Sequence, residues 1–199
     1  MERHFFLWAM LLIGSALPAQ IRYVDAGIFQ VEYNEAFEQP QRLWYTVQCS
    51  EGHFSRSGIN FYNVDSVHTS DNADYTNNAW DKGHLAPAAD FACDSLALRQ
   101  TFSYLNCALQ HESLNRGPWK GLEDLERQMA ERGQVNVLVV VEFETSASRQ
   151  SLRTLPTGAQ IPTHFSKIIE QQGHTWTYRF PNDDSVKGKP YSFFLVSAD

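Results

Sequence analysis

Apolar residues along this chain gather in short runs divided by polar, turn-forming stretches, a pattern of strands and short helices around a core. RLWYTVQC (Arg42–Cys49) is rich in aromatic and β-branched residues and predicts a strand. VNVLVVVEF (Val135–Phe143) is a continuous β-branched run, which predicts a strand buried on both faces. THFSKIIEQ, TWTYRF and YSFFLVS predict further strands, separated by turn-rich segments such as PNDDSVKGKP. GPWKGLEDLERQMAERG predicts the clearest helix, with Trp119, Leu122, Leu125 and Met129 forming its apolar stripe. Pro118 suits the first turn, Gly133 the stop, and Glu123 and Arg127 stand one turn apart as a supporting pair. PAADFACDSLALRQTFSYLN predicts a short helical passage entering a buried segment. NFYNVDSVHTSDNADYTNNAWDKG is dense in Asn, Asp and Ser and predicts a long irregular surface loop leading to His84. The order of elements implies an α+β domain around a mainly antiparallel sheet.

The chain has 199 residues, 43% of them hydrophobic and 13% aromatic, enough for one folded domain with a real core. MERHFFLWAMLLIGSALPAQ begins polar, runs apolar from Phe5 to Ile13 and ends in small residues. That layout predicts a cleaved signal peptide over residues 1–19, a domain over 20–199, and a secreted or periplasmic protein with no membrane span. Removing residues 1–19 deletes one acid and one base, so the net charge stays at −7. An acidic balance weighs mildly against a nucleic-acid binder, but a local basic cluster is all that an enzyme acting on phosphates needs. Of Cys49, Cys93 and Cys107 one thiol must remain unpaired, and Cys93–Cys107 is the pairing to test first. No cysteine–histidine spacing points to zinc.

Chemistry concentrates in two stretches. In WDKGHLAPAAD, His84 is a base available at neutral pH, Gly83 permits close backbone approach, Lys82 places a cation beside the base, and Asp81 could orient the ring. In YLNCALQHESLNRGPWKGLEDLER, Asn115 offers a hard, neutral amide oxygen of the kind that suits Mg²⁺. Trp119 and Glu123 follow at steps of four, so Glu123 could reach a metal-bound water.

Together, DKGHLAPAAD and NCALQHESLNRGPWKGLED resemble the DNA/RNA non-specific endonuclease family of ββα-metal nucleases. That family's first motif reads D-R-G-H and often continues L-A-P-A-A-D. Its second motif is matched here by Asn106, Gln110, Leu114, Asn115, Gly117, Trp119, Leu122 and Glu123. LWYTV, DYTNNAW and IPTHFSKIIEQQGHTWTYRFPND resemble further parts of the family, so the likeness runs from about Leu43 to the end.

The resemblance implies a ββα-metal (His-Me finger) fold: α+β, with a central, mainly antiparallel sheet and flanking helices. It implies a secreted, bacterial-type endonuclease that hydrolyses DNA and RNA with Mg²⁺, or alternatively Mn²⁺, and leaves 5′-phosphate ends. His84 maps onto the general base and Asn115 onto the metal ligand. Glu123 and Asn106 match positions that shape the metal's water shell, and Arg56 in HFSRSGINF is the candidate phosphate clamp. A homodimer stays open. Lys82 replaces the family's arginine, and an ammonium lacks the bidentate fork, so weaker activity is expected. NCALQ lacks a proline common before the Gln, and Glu142 stands where relatives carry a small Thr-Gly step. Two alternatives keep the fold: a weakened or inactive protein that binds nucleic acid or a partner, and a phosphodiesterase acting on small nucleotides.

Overall fold

The computed structural model describes residues 21–143 and 153–199, so the expected signal segment, 1–19, lies outside the described residues. In chain order the strands and helices are β1 (Ile21–Asp25), β2 (Phe29–Asn34), β3 (Gln39–Thr46), β4 (Trp80–His84), α1 (Ser95–Gln100), β5 (Cys107–His111), α2 (Glu112–Leu114), α3 (Lys120–Ala130), β6 (Asn136–Glu142), β7 (His164–Gln171), β8 (His174–Pro181) and β9 (Leu195–Ala198). Seven strands form one antiparallel sheet in the order β1-β2-β3-β6-β7-β8-β9, while β4 and β5 pair separately. This is the α+β architecture with a central antiparallel sheet that the sequence predicts.

Residue alternation assigns the sheet's two faces. Val31, Leu43, Val137, Val139, Val141, Phe165, Ile169 and Phe180 are buried in one core cluster that also holds Leu122 and Met129 of α3. In β6, however, Leu138 and Val140 are only half-buried, so the β-branched run is buried on one face, not two. The sequence signal misleads because it reports apolarity, whereas burial depends on what covers each face. Glu142 gains an account on the opposite, open face: it accepts bonds from Ser166 Oγ at 2.7 Å and Arg179 Nη2 at 2.7 Å.

Helix α3 docks through Leu122 and Met129, as its stripe predicts, but Leu125 is only partly buried. Fully buried Glu126 takes a place on that face instead. Its carboxylate lies 2.8 Å from Lys167 Nζ of β7 and accepts from Tyr45 Oη at 2.6 Å. Removing one partner of such a pair strands a charge in the core and typically costs ~3–5 kcal/mol. Arg127 pairs not with Glu123 but with Asp90, at 2.8 Å, and with Asp124.

Trp119 packs edge-on against Phe165 and Phe180 of the sheet, at 5.7 and 5.8 Å, while its Nε1 donates to the His84 carbonyl at 3.3 Å. One side chain thus ties the sheet's core to the β4–β5 unit. The disulfide joins Cys49 to Cys93, and Cys107 is a buried free thiol. The expected Cys93–Cys107 pairing is therefore wrong: Cys107 is in the β4–β5 ladder opposite His84, its thiol turned to Tyr75.

Candidate active site

Residues 80–83, expected at the end of the irregular loop, are instead strand β4, with His84 as its last residue. The ladder pairs it with Cys107 and pairs Gly83 with Ala108. The chain just beyond is fastened by fully buried Asn106: Oδ1 accepts from Ala86 N at 2.7 Å, and Nδ2 donates to the carbonyls of Ala86 and Thr101 at 2.9 and 2.8 Å. Its amide is thereby committed to backbone. Asn106 holds the His84 segment in place rather than turning towards a metal's water shell.

The His84 ring lies between Phe61 and Phe102, each 4.9 Å away centroid to centroid. It is 9% exposed, and its Nε2 has no hydrogen-bond partner among the described residues. Burial, reinforced by the Arg56 charge, pushes its pKa down to about 3, so the imidazole is neutral at physiological pH. The ring opens onto a cavity of about 290 Å³ whose lining also includes Arg56, Lys82, Asn115 and Glu123. Residues separated by up to 67 positions in the chain thus converge, and of the expected site residues only Asn106 stands outside the lining.

Asn115 follows α2 in a π-helical turn, Asn115–Trp119, which breaks at Gly117 (φ −109°, ψ −116°) before α3 begins. Asn115 Nδ2 donates to Asp81 Oδ2 at 2.8 Å, which turns Oδ1 the other way as an available ligand oxygen. Asp81 also receives Arg116 in a fork, at 2.9 and 2.7 Å, so it orients the second motif and not the His84 ring. Burial first, offset in part by Lys167, raises the Glu123 carboxyl to about 7. Among the described residues no three His, Cys, Asp or Glu side chains form a metal cage. The cavity offers a neutral amide oxygen and the half-buried carboxyl of Glu123, while its second carboxylate, Asp124, is paired with Lys120 and Arg127; this donor set fits a hard divalent cation retaining most of its waters.

Five cations line the cavity, three of which, Arg116, Lys120 and Arg127, were missed. Arg127 continues the same steps of four that pick out Asn115, Trp119 and Glu123, and this was the available signal. Arg116, Lys120 and Arg127 are each bound to carboxylates. Arg56 and Lys82 have no carboxylate partner among the described residues and rest on aromatic rings instead, Arg56 over Phe102 at 5.9 Å.

The sequence profile of the DNA/RNA non-specific endonucleases matches residues 14–199. The chain belongs to that family. It is 34% identical over 174 residues to mitochondrial endonuclease G of Bos taurus, covering 77% of this chain and 58% of that protein. The human counterpart is 33% identical, with 79% and 56% covered. Nuclease C1 of Cunninghamella echinulata var. echinulata is 32% identical over 113 residues, covering 53% and 45%. The chain therefore spans somewhat more than half the length of the endonuclease G relatives. A crystal structure described as the EndoG/EndoGI complex superposes with a TM-score of 0.79 at 22% identity, covering 91% of this chain and 82% of that one, which establishes the shared fold. Several relatives in the family are named as mitochondrial nucleases. This overturns the expected secreted or periplasmic location. Among the described residues no helix is long and apolar enough to cross a membrane.

Proposed function

We propose that this protein is a metal-dependent endonuclease that hydrolyses phosphodiester bonds in DNA and RNA, leaving 5′-phosphate ends. One observation carries the proposal: an unpartnered, neutral imidazole nitrogen, two carboxylate-free cations and an oriented amide oxygen share one cavity. Arg56 and Lys82 bind the non-bridging oxygens of the scissile phosphate. His84 accepts the proton of the attacking water at Nε2. An imidazole held near 3 is a weak base, but the anionic phosphate that displaces water from the cavity favours the protonated ring and raises it. Asn115 Oδ1 would hold a divalent cation, Mg²⁺ or Mn²⁺, with Glu123 fixing its water; when bound, the cation neutralises charge developing on the phosphate and leaving oxygen. Phe61 and Phe102 restrict the ring to one orientation.

The test is digestion of supercoiled plasmid and total RNA with Mg²⁺ and with EDTA, beside His84→Ala. The expected result is cleavage of both polymers that needs the metal and falls ~10²–10⁴-fold in the variant. Folded protein that cuts neither polymer at any divalent metal would overturn the proposal. Cleavage of a small chromogenic diester alone would replace it with a nucleotide phosphodiesterase.

A further inference from the structure

Lys82 stands where the family resemblance expects arginine, and its surroundings are built for an ammonium. Asn72 Oδ1 accepts from Lys82 Nζ and, at 2.9 Å, from Tyr104 Oη. The ammonium lies 5.3 Å from the ring centre of Phe61, 5.4 Å from that of Tyr104 and 5.8 Å from that of Tyr75. None of these partners carries a charge. Asn72 itself is fixed in a 3₁₀ turn, Asn72–Tyr75, whose capping box joins Asp71 and Asp74. The two acids are already occupied: Asp71 accepts from Ala73 N at 2.6 Å, and Asp74 accepts from Asp71 N at 2.7 Å and Thr157 Oγ1 at 2.5 Å.

We infer that Asn72 is a positioning residue of this site, holding the Lys82 ammonium at the cavity wall with its charge undiminished. The inference rests on the proposed phosphodiester hydrolysis. An ammonium has three donors; Asn72 takes one, while ring faces attract a cation without consuming its remaining N–H groups. Those groups stay available for phosphate oxygens. A carboxylate at position 72 would satisfy the same donor but neutralise the charge that substrate must meet. A guanidinium would need paired acceptors in one plane, and the pocket supplies one amide oxygen. Phe61 belongs to both the Lys82 cage and the His84 wall, so the cation and the base are held in register by one ring.

The experiment is a double-mutant cycle on the full chain with Mg²⁺ and plasmid DNA. Asn72→Asp and Asn72→Ala are each made alone and with Lys82→Met, and kcat, KM and the thermal midpoint are measured. Asn72→Asp is expected to raise KM about tenfold with a smaller change in kcat, and to have less than a roughly twofold effect once Lys82 is Met. Asn72→Ala should raise KM less, since no counter-charge is introduced, with the thermal midpoint nearly kept in both. Equal losses in the two Lys82 backgrounds, or an Asn72→Asp enzyme with wild-type KM, would overturn the positioning role alone. An inert wild-type protein would overturn the functional proposal and this role with it.

Discussion

Gly83 and Gln110 approach so closely that a Cβ on Gly83 would lie 2.5 Å from the Gln110 Cβ and 2.5 Å from its Oε1. Gly83 has no left-handed φ, so the glycine is required for its missing side chain and not for backbone freedom. Gln110 is fully buried two residues along β5 from Ala108, the ladder partner of Gly83, which leaves the strand no room to yield. Gly83→Ala should therefore cost about 1–3 kcal/mol by overpacking and shift the residue beside it, His84. Urea denaturation with a parallel cleavage assay checks this; a variant of wild-type stability and rate would show that the contact relaxes freely.

Asp81 holds both Asn115 and Arg116 without lining the cavity. Partners that orient a metal's ligand typically govern affinity by ~10–100-fold. Asp81→Ala should accordingly raise the Mg²⁺ concentration for half-maximal cleavage by about that factor, with much of the rate restored at saturating metal. A loss that high Mg²⁺ leaves untouched would assign Asp81 a different role.

Acid stability has a defined sign. His84 titrates near 6.5 in an unfolded chain but about 3 when folded, so the unfolded state takes up the proton first as pH falls. The stability tied to its neutral form is whole above about 6.5 and is lost as pH falls towards 3. Glu123 acts oppositely: raised to about 7, it stabilises most below its ordinary range and loses that contribution as pH rises through about 7. Urea midpoints of the metal-free protein should fall less steeply between pH 6.5 and pH 4 for His84→Gln than for wild type. An identical slope would contradict burial of a neutral ring.

A protonated Glu123 also competes with a cation. Mg²⁺ affinity measured by calorimetry should rise as pH passes through about 7, and Glu123→Gln should flatten that dependence. A pH-independent affinity in the wild type would remove Glu123 from the metal's surroundings.

The Cys49–Cys93 disulfide closes a loop with a sequence separation of 44 that carries Arg56. Backbone bonds from His53 and Phe54 to the Ala92 carbonyl, at 2.8 and 2.9 Å, lay the start of this loop against the cavity-lining segment. Chain-entropy arithmetic for a loop of this size gives up to about 4 kcal/mol. Cys49→Ser with Cys93→Ser should lower the urea midpoint and raise KM for DNA, because Arg56 loses its anchorage. Thiol titration should find one slow, buried thiol in the native chain, Cys107, as against three after unfolding and reduction. An unchanged KM would separate the disulfide from substrate binding.

Periodicity and turn chemistry made the strands β3, β6, β7 and β8 and the helix α3 readable, because each carries its own apolar signal. The hairpin β1–β2 was missed: FQVEYN is short, and exposed β1 owes its form to pairing at a sheet edge. β4 was missed for a related reason. WDKGH has no strand-like composition, and only its ladder with β5 makes it extended.

Local chemistry in the two motifs, by itself, singled out His84, Lys82, Asn115 and Glu123, because their residue types and short spacings are legible along the chain, and all four line the cavity. Only tertiary structure decided their partners. Asn106 turned out to fasten backbone, Asp81 to orient Asn115 and Arg116, Arg127 to face Asp90, and Cys49 to join Cys93. The physical reason is common to all four. Hydrogen bonds, ion pairs and disulfides act over a few ångströms, and which side chains come that close is settled by packing between segments far apart in the chain.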